Sequence, residues 1–193
     1  MTSALRQRGP FARSARAASI GIFALVLGSE LVWVLIRTHE DRLHLATGAA
    51  RWIWATRDVP EAAPIRFTVK KEFALTRPAS ASRARIFVDR AYELRVNGSL
   101  VGSGSQKPGD ALDAYELFPI LKPGRNEISI DVSSPTGAGG ILFWLDLGDG
   151  DTIVSDGSWE VDSSPGGPKP RRAAVWGRPP MYPWGYPLLP RRN

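Results

Sequence analysis

Side chains that could carry chemistry are few in this 193-residue sequence, and their spacing suits little of it. There is no cysteine, which excludes disulfides, thiolate metal sites and cysteine nucleophiles. The two histidines, His39 and His44, are five apart, so a helix would not put them on one face to share a metal. Both also precede the stretch that reads as a folded domain, which leaves no base for Ser–His–Asp chemistry there. Asp146, Asp149 and Asp151 surround a Gly-Asp-Gly turn but miss the helix-flanked calcium-loop spacing; a structural calcium stays an open alternative. Gly102-Ser103-Gly104 lacks the third glycine and the following helix that a dinucleotide cradle needs. Carboxylates are plentiful, yet in turns and at alternating strand positions they read as solvated surface, not as a glycosidase pair. The expectation is a protein with no catalytic, cofactor or metal site, and not an enzyme.

The elements that would hold such residues are strands. In Ala84–Gly98 the apolar residues alternate as Ala84, Ile86, Val88 and then Tyr92, Leu94, Val96, predicting two half-buried strands. Asn97-Gly98 closes the second with a tight-turn signal. Ile65, Phe67, Val69, Phe73 and Leu75 predict a long strand before them, and Ile128, Ile130 and Val132 another after a Pro123-Gly124 turn. Ile141–Leu147 is apolar on both faces, as in a strand covered on two sides. Leu100-Val101-Gly102 is a short segment leading into residues 103–114, which read as a Gly, Ser and Asp loop. Seven or eight strands with frequent turns describe an all-β sandwich over 60–164.

Charge is uneven along the chain. The net +6 comes from the ends: Arg6, Arg8, Arg13 and Arg16 at one, and Lys169, Arg171, Arg172, Arg178, Arg191 and Arg192 at the other. Between Ile65 and Ser164 acids outnumber bases, so nucleic acid is not an expected partner.

After a basic segment, 1–16, residues 17–36 run AASIGIFALVLGSELVWVLI, about 20 residues, enough at about 1.5 Å each to cross a bilayer core. Arginines on the N-terminal flank orient this expected transmembrane helix with its N-terminus in the cytoplasm, and the apolar run is long for a cleaved signal. The sandwich is then expected on the periplasmic side of a bacterial inner membrane. Ala17, Gly21, Ala24 and Gly28 form a small-residue stripe for helix packing, with Glu30 facing away from it. Residues 37–59 read as a juxtamembrane helix or linker, with Trp52 and Trp54 as headgroup-level anchors.

The strings YELRVNGSLVGSG, AYELFPILKPGRNEISIDV and GGILFWLDLGDGDTIVSDGSWEV resemble the galactose-binding-like jelly-roll domain of bacterial α-L-rhamnosidases and family 2 glycoside hydrolases. The shared features are Asn97-Gly98, the Leu121–Asn126 turn, and Asp156–Trp159. The resemblance implies a jelly-roll β-sandwich over about Ile65–Val161 and, less directly, carbohydrate binding. These are fold-forming residues and none is a known sugar ligand. The catalytic region of those enzymes has no counterpart in this sequence.

Residues 165–193 are rich in proline and aromatics, predicting an extended tail that docks on its own sandwich or on a partner. Trp176, Tyr182, Trp184, Tyr186 and Arg191 are its candidate docking residues. The leading expectation is a non-catalytic, single-span accessory subunit that stabilises a multi-subunit inner-membrane complex, such as a photosynthetic, respiratory or envelope-export assembly. Its partners are then the bilayer and integral membrane proteins. The alternative is a membrane-tethered carbohydrate-binding module with a glycan partner; a membrane-bound glycosidase stands third.

Overall fold

Ile86 and Val88 face the same interior as Tyr92, Leu94 and Val96, but the two runs belong to different sheets, and Asp89-Arg90 is where the chain crosses between them. In this computed structural model the described residues are 27–35, 47–58, 63–79, 81–148, 150–163 and 169–189. The chain divides into two units, Met1–Arg42 and Leu43–Asn193.

In the first unit residues 27–35 are helical, and Leu27, Leu31, Val32, Trp33, Val34 and Leu35 are all exposed. Among the described residues no helix is long and apolar enough to cross a membrane. The remainder of the expected span, including Ala17, Gly21 and Ala24, lies outside them.

The second unit is a sandwich of two antiparallel sheets. Its strands in chain order are β1 (Trp52–Trp54), β2 (Ile65–Leu75), β3 (Arg83–Val88), β4 (Arg90–Val96), β5 (Ser99–Gln106) and β6 (Asp113–Glu116). There follow β7 (Gly124–Ser134), β8 (Ile141–Asp146), β9 (Thr152–Val154), β10 (Glu160–Asp162), β11 (Arg171–Arg172) and β12 (Ala174–Gly177). The first sheet runs β12-β1-β8-β3-β6 with β9 on β8; the second runs β11-β10-β2-β7-β4-β5. β2 and β7 pair without a break from Ile65↔Ser134 to Leu75↔Gly124. Period-2 alternation therefore sends Phe67, Val69, Ile128, Ile130 and Val132 inward as one layer. Ala84, Ile86, Ile141, Phe143 and Leu145 of the first sheet meet them. Trp159 is fully buried against Phe143, with ring centroids 5.3 Å apart.

The turns quoted for the family resemblance interlock. Asn97, at φ 52°, donates through Nδ2 to the Ile120 carbonyl (3.0 Å) and to Asn126 Oδ1 (2.9 Å), while its Oδ1 accepts the Glu127 N–H (3.0 Å). Asn126 in turn donates to the carbonyls of Lys122 (2.7 Å) and Gly124 (3.0 Å). Two short polar side chains thus satisfy part-buried backbone groups of the Leu121–Asn126 turn and its flanks, and their mutual bond ties that turn to Asn97-Gly98. Asn97, also the acceptor position of an Asn-x-Ser sequon, is fully engaged in that role.

Two stretches differ from their sequence reading, and a third settles between two. Trp52 and Trp54 are not interfacial anchors. They are 1% and 0% exposed in β1, so neither indole can reach a headgroup layer. Trp54 Nε1 donates to the Gly137 carbonyl (2.8 Å) and its ring packs edge-on to Phe67, while Trp52 stacks on Trp184 at 4.5 Å. The sandwich therefore begins before Pro60. The expected loop at 103–114 contains the second half of β5 and the start of β6. Gly102 and Gly104 sit in β5 because rings fill the space of their missing side chains: a Cβ at Gly102 would lie 2.3 Å from the Tyr115 ring, and one at Gly104 2.7 Å from the Tyr92 ring. The tail takes the first of its two expected places, its own sandwich. β11 pairs with β10 in the second sheet and β12 with β1 in the first, so this segment laces the two sheets along one side.

Candidate functional site

Alternation that buries one face of the second sheet presents the other face to solvent. Register then decides which outward side chains become neighbours. Asp162 of β10 lies opposite Thr68 of β2, Thr68 opposite Asp131 of β7, Asp131 opposite Glu93 of β4, and Glu93 opposite Ser103 of β5. These five residues form one row across five adjacent strands. Arg66 and Lys70 flank Thr68 on the same face of β2, and Ser133 flanks Asp131. Together they floor an open groove of about 930 Å³.

Glu93 and Asp131 are like charges in directly opposed positions, an unfavourable pairing unless a cation is shared. Arg95 supplies it: Nη2 donates to Glu93 Oε2 at 2.9 Å, and Nε lies 3.7 Å from Asp131 Oδ2. Thr68 Oγ1 donates to Asp131 Oδ1 at 2.5 Å. The guanidinium and the hydroxyl thus fix both carboxylates in place while leaving lone pairs that face the groove. The side chains of Arg66 and Lys70 make no ion pair or hydrogen bond within the described residues, so their donors are open to a ligand. The acids Glu93, Asp131 and Asp162 balance the bases Arg66, Lys70 and Arg95. Such a surface offers donors and acceptors in close alternation with no net formal charge.

No aromatic face lies in the groove floor. Phe67 and Tyr92 line it only from beneath and are 5% and 3% exposed. Tyr92 instead braces the floor: its hydroxyl donates to Asp113 Oδ2 (2.6 Å) and lies 3.0 Å from the Tyr115 hydroxyl. Burial, then the bonds to Asp113 and Tyr115, push the Tyr92 hydroxyl far above the ordinary tyrosine value, so it stays protonated. Burial also raises Tyr115.

The residues singled out from sequence do not lie in this groove. Gly28 and Glu30 are in the helical segment 27–35, and Arg191 lies outside the described residues, as do His39 and His44. Trp184, the strongest docking candidate, is 9% exposed and docks at home: it stacks on Trp52 and donates through Nε1 to Asp89 Oδ2 at 2.7 Å. Asp89 is itself buried and pairs with Arg90 at 2.6 Å. Trp176 packs partly buried against both apolar clusters. Tyr182 and Tyr186 remain exposed, at 92% and 45%. Among the described residues no group of His, Asp and Glu is placed to hold a metal; Asp146 accepts the Gly148 N–H (2.9 Å), and Asp149 lies outside them. The groove residues were missed because they come from five strands between positions 66 and 162. Their one signal was polar alternation, which also marks ordinary solvated surface.

No family model matches the sequence, and no curated protein matches it. Solved structures do. A lectin from Pleurotus ostreatus is similar over 75% of this chain, with 30% identity and a TM-score of 0.62. Its complex with GalNAc matches at 30% identity and TM-score 0.61 over 72% of the chain. An α-L-rhamnosidase from Streptomyces avermitilis complexed with L-rhamnose matches 75% of the chain at 20% identity and TM-score 0.61. A GH78 family rhamnosidase from Bacillus sp. GL1 matches 74% at 21% and 0.61. The match spans under half of the lectin (46%) and about a fifth or less of the rhamnosidases (17% and 20%). The sandwich is therefore similar to galactose-binding-like domains found in lectins and rhamnosidases, and the rhamnosidase likeness concerns the fold alone.

Proposed function

We propose that this chain is a carbohydrate-binding module that holds glycan without cleaving it, on the outward face of its second sheet. The observation that carries this reading is the ordered polar row Asp162–Thr68–Asp131–Glu93–Ser103, lying open on a sandwich similar, at 30% identity, to a lectin. Sugar hydroxyls both donate and accept, and carboxylates fixed by Arg95 and Thr68 beside two unpartnered cations complement them without a large ordering cost. Glycoside cleavage asks for something else, an acid and a base or nucleophile on opposite sides of one bond. Here Glu93 and Asp131 are side by side and share one arginine.

The proposal includes a tether. The apolar run 17–36 after a basic flank, with its described portion helical and its leucines and valines exposed, supports anchoring in a bacterial inner membrane with the sandwich on the periplasmic side. An accessory role in a membrane complex drew part of its support from the aromatic tail, and Trp184 and Trp176 are occupied by the chain's own sandwich.

A glycan array probed with the detergent-solubilised 193-residue chain tests the reading, alongside aryl-glycoside hydrolysis by the same preparation. Retention on glycans, lost in Glu93→Ala with Asp131→Ala, and no hydrolysis are expected. Hydrolysis abolished by a single carboxylate substitution would replace binding by catalysis. An array without retention would remove the glycan reading.

A further inference from the structure

The groove has a direction and a length. Its polar row runs perpendicular to the strands, and with neighbours about 4.8 Å apart, four inter-strand steps give roughly 19 Å. That is the length of several linked sugar rings. A site for one terminal sugar needs walls that enclose most of the ligand. This groove has a floor made by a single sheet, and at Ser103 it runs out to β5, the last strand of that sheet.

Building on the glycan-binding reading, we infer that the groove takes an internal stretch of an extended, uncharged polysaccharide lying across the strands. Charge argues for the uncharged class. A polyanion could reach Arg66 and Lys70, but along the row it would lie over Asp162, Asp131 and Glu93, and like charges in contact are disfavoured. A polycation would meet Arg66, Lys70 and Arg95. A neutral chain finds alternating donors and acceptors along its whole length. With Phe67 and Tyr92 beneath the floor, ring faces have no aromatic platform, so recognition is through hydroxyls and accumulates ring by ring.

Calorimetric titration of the 193-residue chain in detergent distinguishes the outcomes. The probes are manno- and cello-oligosaccharides from mono- to hexasaccharide, with GalNAc, L-rhamnose and polygalacturonate as comparators. Affinity for one of the two neutral series should rise by about tenfold or more from di- to hexasaccharide, and change little with added salt. Ser103→Trp, which blocks the row at its β5 end, should remove that gain, so that hexasaccharide binds no better than disaccharide. The same substitution sits on an exposed position, and an unchanged melting temperature would show that its effect is local. Equal affinity for monosaccharide and hexasaccharide would overturn the chain-binding inference and keep the glycan reading. Preference for polygalacturonate that fades with salt would overturn the uncharged class. Absence of binding to every probe would remove both this inference and the reading on which it rests.

Discussion

The outer faces of the two sheets are built on the same alternation and end in opposite states. On the first sheet the outward positions Trp52, Phe87 and Leu142 are buried where the tail brings Trp184 down over them, while Arg83, Arg85, Trp144 and Asp146 on the same face are not buried. On the second they are Arg66, Thr68, Lys70, Glu93 and Asp131, and nothing among the described residues covers them. An apolar outer face left bare would be a sticky patch, and a polar row buried under a tail would lose water without full compensation. The tail therefore covers one face and not the other for reasons written in the strands. What the pair of faces teaches is that Trp184 of the aromatic tail is a structural cover for the apolar part of one face, and that the hydrophilic row of the other is left open.

Removing the cover has the largest expected effect. Trp184→Ala exposes Trp52 and Phe87 and leaves buried Asp89 without its indole donor, so destabilisation of about 3–5 kcal/mol is expected by chemical denaturation. A loss below about 1 kcal/mol would mean that the tail is not holding the first face closed. Asn126→Ala comes next, because it strands the part-buried Lys122 and Gly124 carbonyls of one turn and the Asn97 amide of the other; about 2 kcal/mol is expected from the same measurement.

The brace under the groove is read by pH. The Tyr92 value is raised in the folded state, so its stabilising contribution is fully present below the unfolded tyrosine value of about 10. It is lost as the pH rises above that, by up to about 1.4 kcal/mol per pH unit. Tyr92→Phe should lose about 1 kcal/mol at neutral pH by giving up the Asp113 bond, yet show a shallower fall in stability between about pH 9 and 11. Parallel pH profiles in the two proteins would contradict the buried, protonated hydroxyl. The smallest effect on stability belongs to the open face: Lys70→Gln and Glu93→Gln should each stay within about 0.5 kcal/mol in thermal melts while weakening glycan retention. A large destabilisation there would mean the row is structural after all.

Much of the fold was legible because burial and alternation coincide. β2, β7 and β8 follow their apolar periods, and Asn97-Gly98 and Leu121–Asn126 are turns whose side chains bond each other. β1 was not legible, since Trp-Ile-Trp buried on both faces has no alternation, and its proximity to an apolar run made an interfacial reading natural. The second half of β5 was hidden by glycines that give way to the Tyr92 and Tyr115 rings, a constraint visible only when β6 lies beside it. The groove was the least legible part. Thr68, Glu93, Asp131 and Asp162 are unremarkable in their own strands and gain meaning only through cross-strand register, which depends on the order β10-β2-β7-β4-β5. The tail's aromatic content announced a docking segment, but choosing its own sandwich required the indole pocket formed by Trp52 and Asp89.

The most direct test of the central claim is to map where a bound glycan protects the backbone, by amide chemical-shift perturbation or hydrogen exchange on the 193-residue chain with the tightest array ligand. The account predicts changes confined to the outward side of β2, β7 and β4 with the adjoining ends of β10 and β5, centred on Thr68, Asp131 and Glu93. Changes centred instead on Tyr182 and Tyr186, or on the cavity of about 250 Å³ between the end of β2 and the β8–β9 turn, would place recognition elsewhere and contradict it.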